Sequence, residues 1–452
     1  MSKALLLPSY LGGGFGHVSR CLALAAELKA NGWETAFALA GPHSNHVVQA
    51  GHQVYTLRRP YRPRPETKEG PAFTVFSDMN YQLVRDGLWT QRIIRACVAE
   101  QLKVIRRFQP DVLIADTWPL AGILAYLSGL PLVQITKAVV HPASPGLIWW
   151  QSPPANLVPP DPRPIFNPLL ESWGLPPIRR AEDLLRGDLY LIPSLPELEP
   201  LPPDLPDTHY VGPLIRPQNS NQPAPAWLDD FDPARPLVYV TIGGGAGPVG
   251  GRRFYHLLMD ALGNTDVQVI ASTGAKLSPD GLPAPPPNVR LEAWVPGPTV
   301  IARSSLVLFH GGYGTTMELV QAGTPGLIIP FHSEQESNAR RLEAAGMARV
   351  LLPAQGAASP NWLRWPGGRF CTLIHPQSDL TPVRLRAVVF DMLADDRFQK
   401  NAQQLQAASR QYQGRAQAAA LIEDLLANGK AAPAPGWHRL NWRQKLALRW
   451  LS

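Results

Sequence analysis

Cysteine is scarce in this sequence, and long apolar runs are missing from it. The three cysteines, Cys21, Cys97 and Cys371, are odd in number and far apart, which argues against a disulfide framework and a cysteine-rich metal cluster. No run of about eighteen apolar residues occurs, and the N-terminus lacks a charged segment followed by a long apolar stretch. We therefore expect a cytoplasmic protein with reduced thiols and with neither a transmembrane helix nor a secretory signal.

Charged residues are also few, at 17% of the chain, and the 35 acidic residues are outnumbered by 42 Lys and Arg. Part of the excess lies in the tail 429–452, where Leu440, Leu446 and Trp450 are spaced to form an apolar side of a helix opposite a basic one. Two interpretations stay open for this tail. It either contacts the inner surface of a membrane peripherally or, as we favour, packs on its own protein or stays solvated. No base-binding or phosphate-tracking module is recognisable, so no nucleic-acid partner is expected.

The length and the proline distribution divide the chain into two domains. At 452 residues, of which 45% are hydrophobic, the chain exceeds what one core comfortably supports. Prolines are dense between Pro142 and Pro236, where they disfavour helices and central strands. Asp230 and Asp232 lie in a linker rather than at a strand end, so no metal site is predicted there. We predict an N-terminal domain at 1–217, a linker at 218–236, a C-terminal domain at 237–428 and the tail at 429–452.

A glycine-rich turn followed by a helix is predicted after Ser304 to Phe309, a short apolar run that indicates a buried parallel strand. Thr315 opens the run with helical periodicity. The tight turn before it is permitted by three glycines, which are Gly311, Gly312 and Gly314. Because the first N–H groups of a helix lack intrahelical acceptors, this turn predicts an anion-binding loop. A turn that serves only the fold is the alternative.

Two acidic residues flank this loop. Glu318 follows the helix start, where its carboxylate is suited to accept hydrogen bonds from two vicinal sugar hydroxyls. Glu334 and Gln335 follow a second predicted strand, Gly326 to Pro330, and so lie at the carboxyl edge of the sheet, where ligands bind in open α/β folds. The alternatives are that Glu318 interacts only with the helix dipole and that His310 is a loop histidine whose hydrogen bonds are made within the protein.

The order HGGxGT, then Glu three residues on, GxP, and Gln followed by NA resembles the donor-binding segment of the family-1 glycosyltransferases. The resemblance covers about forty residues without a gap. It implies an α/β protein of the GT-B fold, in which two Rossmann-like domains face each other across a cleft. It also implies an enzyme that binds a nucleotide-sugar donor and a hydroxyl-bearing small-molecule or lipid acceptor, with no cofactor and no essential metal.

Carried over residue by residue, the resemblance assigns the donor site. His310 and the backbone of Gly311, Gly312, Gly314 and Thr315 would hold the diphosphate. Glu318 would bind the ribose, and Glu334 with Gln335 would bind hydroxyls of the transferred sugar. The family more often has Asp where this chain has Glu334, a departure that leaves the identity of the sugar open.

The same resemblance extends upstream. An aromatic residue at the position of Trp294 stacks on the nucleobase in the family, and the backbone that follows, here at Val295, contacts the base edge, which usually means uracil. The alternative is a core tryptophan. The loop after the predicted strand Leu237 to Ile242 contains Gly243 and Gly244, which either lend further N–H groups to the phosphates or form only a tight turn.

The N-terminal half supplies a candidate base. A predicted strand, Lys3 to Pro8, leads through a glycine-rich turn ending at Gly16 into a helix that has His17 at its start. A histidine can remove a proton from an acceptor hydroxyl near neutral pH, and a carboxylate on its second nitrogen improves it as a base. Asp116 follows the apolar run Val112 to Ala115 and is the candidate partner, as the family resemblance also implies. The alternative is that Asp116 caps the next helix.

One departure favours a second interpretation. Many family-1 members have proline three residues after the histidine, whereas this chain has Arg20, and the string GFGHVSRCLALA also resembles UDP-sugar hydrolases of the pseudaminic-acid pathway. We predict an inverting transferase that uses a UDP-sugar. A hydrolase and a non-catalytic sugar-nucleotide binding subunit are the alternatives. The acceptor is expected on the first-domain side, near aromatic residues that include Phe73, Phe76, Trp89, Trp149 and Trp150.

Overall fold

The structure is a computed structural model, and it describes residues 1–11, 14–58, 72–77, 79–147, 156–216, 225–243, 251–274 and 277–428. Part of the predicted linker lies outside these residues, as do Gly244, Trp149, Trp150 and the tail 429–452. Within the described ranges the strands form three sheets, two of them parallel and one antiparallel.

The first half of the chain alternates strands with helices. Its strands are β1 (Lys3–Pro8), β2 (Glu34–Leu39), β3 (Gln53–Thr56), β4 (Phe73–Val75), β5 (Val112–Asp116), β6 (Leu132–Ile135), β7 (Leu189–Ile192) and β8 (Thr208–Tyr210). Its helices are α1 (Gly16–Ala30), α2 (Ser44–Gln49), α3 (Met79–Arg85), α4 (Gln91–Phe108), α5 (Ala121–Ser128) and α6 (Arg163–Ser172). Short 3₁₀ turns occur at Ala138–Val140, Ala181–Leu185, Ala226–Asp230 and Pro279–Gly281.

Seven of these strands form a parallel sheet in the order β3-β2-β1-β5-β6-β7-β8. The central strands are buried on both faces, which explains why β1 and β5 are continuous apolar runs. The strand order reverses between β1 and β5, which pair in register from Ala4 with Val112 to Pro8 with Asp116. The loops after these two strands therefore meet at the carboxyl edge, where open α/β sheets bind ligands. We call this sheet and its helices the first lobe.

A second parallel sheet, with its helices, forms the second lobe. Its strands are β9 (Leu237–Thr241), β10 (Gln268–Ser272), β11 (Val289–Glu292), β12 (Leu306–Phe309), β13 (Gly326–Ile328) and β14 (Ala348–Val350). Their order is β11-β10-β9-β12-β13-β14, so the reversal here lies between β9 and β12. The helices that follow are α7 (Arg252–Leu262), α8 (Gly297–Arg303), α9 (Tyr313–Ala322), α10 (Ser333–Ala344), α11 (Pro382–Leu393), α12 (Asp396–Ser409) and α13 (Arg415–Ala427).

The third sheet joins the two lobes. Strands β15 (Ser359–Trp365) and β16 (Gly368–His375) form a hairpin after the second sheet, and β16 pairs antiparallel with β4 of the first half. Trp365 and Phe370 of this hairpin are buried in the hydrophobic core of the first lobe. The sequence analysis did not predict this hairpin.

The last helix also crosses between the lobes. Within the range predicted for the C-terminal domain, α12 packs on α9 of the second lobe. Helix α13, in contrast, packs on α1, and its Ala418, Ala419 and Ile422 belong to the first lobe's core. Glu423 accepts hydrogen bonds from Asn31 and Trp33 of the first lobe at 3.1 and 3.3 Å. The last of the three C-terminal helices therefore belongs to the core of the first lobe.

Candidate active site

His17 and Asp116, the predicted base and its partner, are in contact. His17 lies in the first turn of α1, and Asp116 is the last residue of β5. His17 Nδ1 lies 2.7 Å from Asp116 Oδ1, and the Asp116 side chain has no exposed surface, whereas that of His17 is 23% exposed. The alternative role for Asp116 as a helix cap is wrong, because α5 begins at Ala121 and its N-cap is Leu120.

Arg20 completes this pair. Its Nε donates to Asp116 Oδ2 and its Nη2 donates to Asp116 Oδ1, both at 2.7 Å. Burial raises the pKa of Asp116, but the charges and hydrogen bonds of Arg20 and His17 outweigh it, so the pKa lies below its usual value. The carboxylate is thus ionised at neutral pH and accepts from His17 Nδ1–H, which leaves Nε2 as the proton acceptor.

In the second lobe, the imidazole of His310 packs against Gly243 and Gly312, two glycines that were predicted for the donor site. A Cβ added to Gly243, which has a positive φ of 74°, would lie 2.7 Å from His310 Cε1. A Cβ added to Gly312 would lie 2.5 Å from His310 Nε2. Any other residue at either position would therefore displace the ring. Burial lowers the pKa of His310 to about 4, so the imidazole is neutral at neutral pH.

The N-terminus of α9 has the geometry expected of an anion site. Gly312 is the N-cap, and the first intrahelical bond runs from Thr316 N–H to Gly312 O at 3.0 Å. The N–H groups of Tyr313, Gly314 and Thr315 thus precede the first N–H that has an intrahelical acceptor, and such groups attract anions. Gly311, at φ 85°, lets the turn approach α10, since a Cβ there would lie 2.6 Å from Gln335 O. Gly16 lies at the corresponding helix start in the first lobe.

Trp294 and Glu318 are the predicted contacts for the base and the ribose. Trp294 is 72% exposed, so the alternative of a core tryptophan is wrong, while Val295 next to it is buried. Glu318 Oε2 lies 3.5 Å from the position of a Cβ on Gly297, three residues after Trp294. Glu318 lies beyond the first turn of α9, so it does not answer the helix dipole. Burial raises its pKa to about 7.

Glu334 and Gln335 already have protein partners. Glu334 Oε1 accepts from Lys137 Nζ of the first lobe at 2.6 Å and from Asn338 Nδ2 at 3.1 Å. Burial raises the pKa of Glu334, yet Lys137 and the other partners outweigh it and hold the pKa well below its usual range. Gln335 Oε1 accepts from Phe331 N–H at 2.8 Å. Sugar contacts by these two residues remain a prediction, and they would use the remaining carboxylate oxygen and the amide nitrogen.

The sequence analysis missed the residues that join the two lobes at this site. Lys137 follows β6, and Glu199 follows β7 within the proline-rich region. Arg341 of α10 lies 3.1 Å from Glu199, whose Oε2 also accepts from Ala138 N–H at 2.8 Å. The position of Lys137 could have identified it as a site residue, because it lies two residues after an apolar strand whose carboxyl end faces the cleft.

Only some of the aromatic residues predicted for the acceptor side lie at the junction of the lobes. Phe76 stacks on Tyr81 with ring centroids 4.4 Å apart, and it lies 5.2 Å from the ring of His332 in the second lobe. Phe73 is buried in the small core between β4 and β16, and Trp89 packs against the first lobe's core. Their alternative assignment as core residues is the one observed.

In the described part of the chain, no group of three or more His, Cys, Asp or Glu side chains is arranged to hold a metal ion. In the same residues, no helix combines the length and the apolar character that a membrane crossing needs.

Comparison with known proteins finds glycosyltransferases. Residues 256–363 match the C-terminal domain of the erythromycin biosynthesis protein CIII-like family. A PGL/p-HBAD biosynthesis rhamnosyltransferase of Mycobacterium bovis (strain BCG / Pasteur 1173P2) is 29% identical over 361 residues, which cover 74% of each chain. The 4'-demethylrebeccamycin synthase of Lentzea aerocolonigenes is 28% identical over 278 residues, 55% of this chain and 64% of the relative.

Solved structures share the fold across almost the whole chain. The calicheamicin glycosyltransferase CalG4 aligns with a TM-score of 0.65 at 20% identity, covering 95% of this chain and 99% of the other. The spinosyn rhamnosyltransferase SpnG complexed with thymidine diphosphate aligns with a TM-score of 0.62 at 21% identity, covering 94% and 100%. The predicted fold class is confirmed. The fold, the matched C-terminal domain and the curated relatives support a glycosyltransferase of the GT-B fold that is similar to family 1.

Proposed function

We propose that this glycosyltransferase moves a sugar from a pyrimidine nucleoside-diphosphate donor to a hydroxyl acceptor with inversion at the anomeric carbon. One observation carries the proposal. The His17–Asp116 pair of the first lobe and the glycine-rich turn before α9 in the second lobe face each other within contact distance. Arg20, which binds Asp116, has its guanidinium carbon 5.2 Å from the ring centroid of Tyr313, the first residue of α9. A sugar bound at that helix start would lie next to His17.

The donor would lie along the second lobe. Its diphosphate would accept hydrogen bonds from the free N–H groups of α9, its ribose hydroxyls would donate to Glu318, and its base would stack on exposed Trp294. The sequence resemblance favours uracil, and the spinosyn rhamnosyltransferase was solved with thymidine diphosphate. We therefore propose a UDP-linked or dTDP-linked sugar.

The chemistry would be a single displacement. His17 Nε2 takes the proton of the acceptor hydroxyl as its oxygen attacks the anomeric carbon, and ionised Asp116 stabilises the imidazolium that forms. The bond to the diphosphate breaks from the opposite face, which inverts the configuration. The helix N-terminus would stabilise the charge that develops on the leaving diphosphate, so no essential metal is required for this step.

The acceptor would enter beside the junction of the lobes. The cluster of Phe76, Tyr81 and His332 supports an aromatic or lipid aglycone bearing a hydroxyl. A spinosyn rhamnosyltransferase bound to spinosyn aglycone is one of the structures that share this fold. A cytoplasmic location remains part of the proposal, and for the tail 429–452 both peripheral membrane contact and the favoured self-packing or solvation stay open.

The test begins with binding. Calorimetric titration with UDP-, dTDP- and GDP-linked sugars should give binding to the pyrimidine donors and little to the purine one. Mass spectrometry of reactions with aromatic and lipid alcohols should then detect the glycoside, and NMR should give an anomeric configuration opposite to that of the donor. Glycoside with retained configuration would contradict the displacement.

The string GFGHVSRCLALA favours the hydrolase as the second candidate. A hydrolase would share the donor site and the His17 base, but water would replace the acceptor. It would release free sugar at its full rate without any acceptor. A binding subunit would bind the donor, form neither product and tolerate the loss of His17.

A further inference from the structure

Arg20 is buried between the His17–Asp116 pair and helix α9. It is 6% exposed, and two of its nitrogens bind the two oxygens of Asp116 in the planar fork that carboxylates fit. Its Nη2 is also 3.1 Å from His17 Nδ1. The guanidinium thus fixes the plane of the carboxylate from which His17 takes its orientation.

The other contact of the guanidinium is with the second lobe. Its carbon lies 5.2 Å from the ring centroid of Tyr313, a distance typical of cation–π contact. Tyr313 also contacts the first lobe, because its hydroxyl donates to Pro193 O at 3.2 Å, and the residue is 7% exposed. The backbone N–H of the same tyrosine is the first of α9. One side chain therefore connects the proposed diphosphate site with the carboxylate behind the base.

We propose that Arg20 is a positioning residue that couples the docking of helix α9 to the alignment and charge of the His17–Asp116 pair. The inference rests on the proposed function. When α9 is docked, the Tyr313 ring holds the guanidinium against Asp116. The carboxylate is then fixed for His17 Nδ1–H, and the positive charge of the guanidinium lies beside the imidazole, with Arg20 Nη2 3.1 Å from His17 Nδ1.

Several titratable groups lie around Asp116 and Arg20, the two charged partners of His17. They are Asp116 from β5, Arg20 and Cys21 from α1, and Tyr313 from α9, beyond which lies Glu199. Burial raises the pKa of the Cys21 thiol and of the Tyr313 hydroxyl well above their usual values, so both stay neutral through the physiological range. Removing the Arg20 charge should therefore act on His17 with little interference from these two groups.

The test follows the imidazole of His17 directly by NMR, in protein with labelled histidine and with the signal assigned from a His17→Gln variant. In Arg20→Met the titration midpoint of His17 should move up by about one unit, because a neighbouring cation is lost. Arg20→Lys keeps the charge without the fork, so its midpoint should stay near that of the wild type. Its kcat should still fall about 10-fold, while KM for the donor changes less than 2-fold.

Tyr313 provides the test of coupling. Tyr313→Ala removes the ring and should move the His17 midpoint in the same direction as Arg20→Met, whereas Tyr313→Phe keeps the ring and is the matched control. The double variant Arg20→Met/Tyr313→Ala should lose far less activity than the product of the two single losses. Independent, multiplicative losses would overturn the coupling.

Failure of the inference and failure of the proposed function are distinguishable. If the wild-type protein forms no glycoside, the proposed function fails, while the NMR midpoints still decide the role of Arg20. A His17 midpoint that is the same in the wild type, Arg20→Met and Tyr313→Ala would overturn the inference whether or not the protein transfers a sugar. Should Arg20→Met not fold, Arg20→Lys and Tyr313→Ala supply the comparison.

Discussion

At the residue scale, His17 and Asp116 have different surroundings that match their proposed roles. The carboxylate is buried and bound by Arg20, so it is held rigidly, whereas the imidazole is part exposed and has one ring nitrogen left for a substrate. The residues that act on a substrate need access to it, and the residues that orient them do not. The sequence placed His17 at a helix start and Asp116 at the end of a strand, but it did not identify Arg20 as the second partner of Asp116.

Replacing His17 with Ala should leave donor affinity near normal and reduce turnover by about 100-fold or more, because only the proton acceptor is lost. Calorimetry gives the donor affinity, and acceptor-dependent product formation gives the turnover. His209→Ala is a suitable control, since His209 is an exposed histidine on β8 of the same lobe. Undiminished transfer in His17→Ala would remove this residue from the mechanism.

Glu318 should make donor binding depend on pH. Burial raises its pKa to about 7, so the carboxylate that would accept from both ribose hydroxyls is fully formed only above that pH. We expect the affinity for a nucleotide-sugar to rise between about pH 6 and pH 8 in the wild type and to stay flat in Glu318→Gln. Isothermal titration calorimetry across this range measures it, with the exposed Glu171→Gln on α6 as control.

The same residue makes a prediction about stability. Because the folded-state pKa of Glu318 lies above its unfolded value near 4.3, the folded protein loses stability as pH rises between those two values. Glu318→Gln should therefore be more stable than the wild type at pH 8, by about 1–3 kcal/mol, and similar to it at pH 4. Denaturant unfolding at both pH values provides the measurement. An equal difference at both values would contradict the raised pKa.

At the element scale, the turn between β12 and α9 depends on glycine for a reason that only the structure gives. Helix α9 needs Gly312 because the imidazole of His310 occupies the space that a side chain would fill. The glycine pattern predicted a tight turn and a helix start, and both occur. The contacts of Gly243 with His310 and of Gly311 with Gln335 were not predictable, since each joins residues from different elements.

Gly312→Ala and Gly314→Ala should therefore behave differently. The Cβ of the first would lie 2.5 Å from His310 Nε2, so we expect a lower melting temperature and weak donor binding. No atom of the described residues lies within 4 Å of a Cβ on Gly314, so this variant should melt at the wild-type temperature or above it. If the diphosphate occupies the open space beside Gly314, donor affinity should still fall. Thermal melts with and without donor separate the two effects, and a normal donor affinity in Gly314→Ala would place the diphosphate elsewhere.

At the scale of the whole molecule, the lobes are joined by more than a linker. Strand β4 pairs with β16, helix α13 returns to the first lobe, and the ion pair of Lys137 and Glu334 crosses the cleft at 2.6 Å. Each joins residues far apart in the chain. The separation of the lobes is therefore restricted on several sides of the active site.

Lys137→Met should destabilise the protein by about 3–5 kcal/mol at neutral pH, because it leaves Glu334 with its main charge partner removed in a largely buried site. Lys137 holds the pKa of Glu334 below its usual value, so the stability from this pair is present above about pH 4.3 and is lost as pH falls. The deficit of the variant should therefore shrink in acid. Denaturant unfolding at two pH values measures it.

Small-angle scattering supplies the corresponding test of lobe separation. The radius of gyration of Lys137→Met should increase if the ion pair helps to hold the lobes together, and Lys137→Met/Glu334→Met should recover part of the stability. Arg163→Met removes an exposed ion pair with Asp161 and should change neither quantity. Unaltered stability and size in Lys137→Met would show that the pair does not hold the lobes.

The sequence by itself determined the strands β1, β5, β9, β12 and β13 and the glycine-rich turns, because apolar runs, helical periodicity and glycine spacing are local properties of the chain. The fold class followed from the resemblance of the donor-binding segment to family 1. Only the tertiary structure decided which side chains meet. Arg20 and Asp116 are 96 positions apart, and Lys137 and Glu334 are 197 apart. Their contacts depend on strand order and on the facing of two sheet edges, which bring together loops that no local pattern connects.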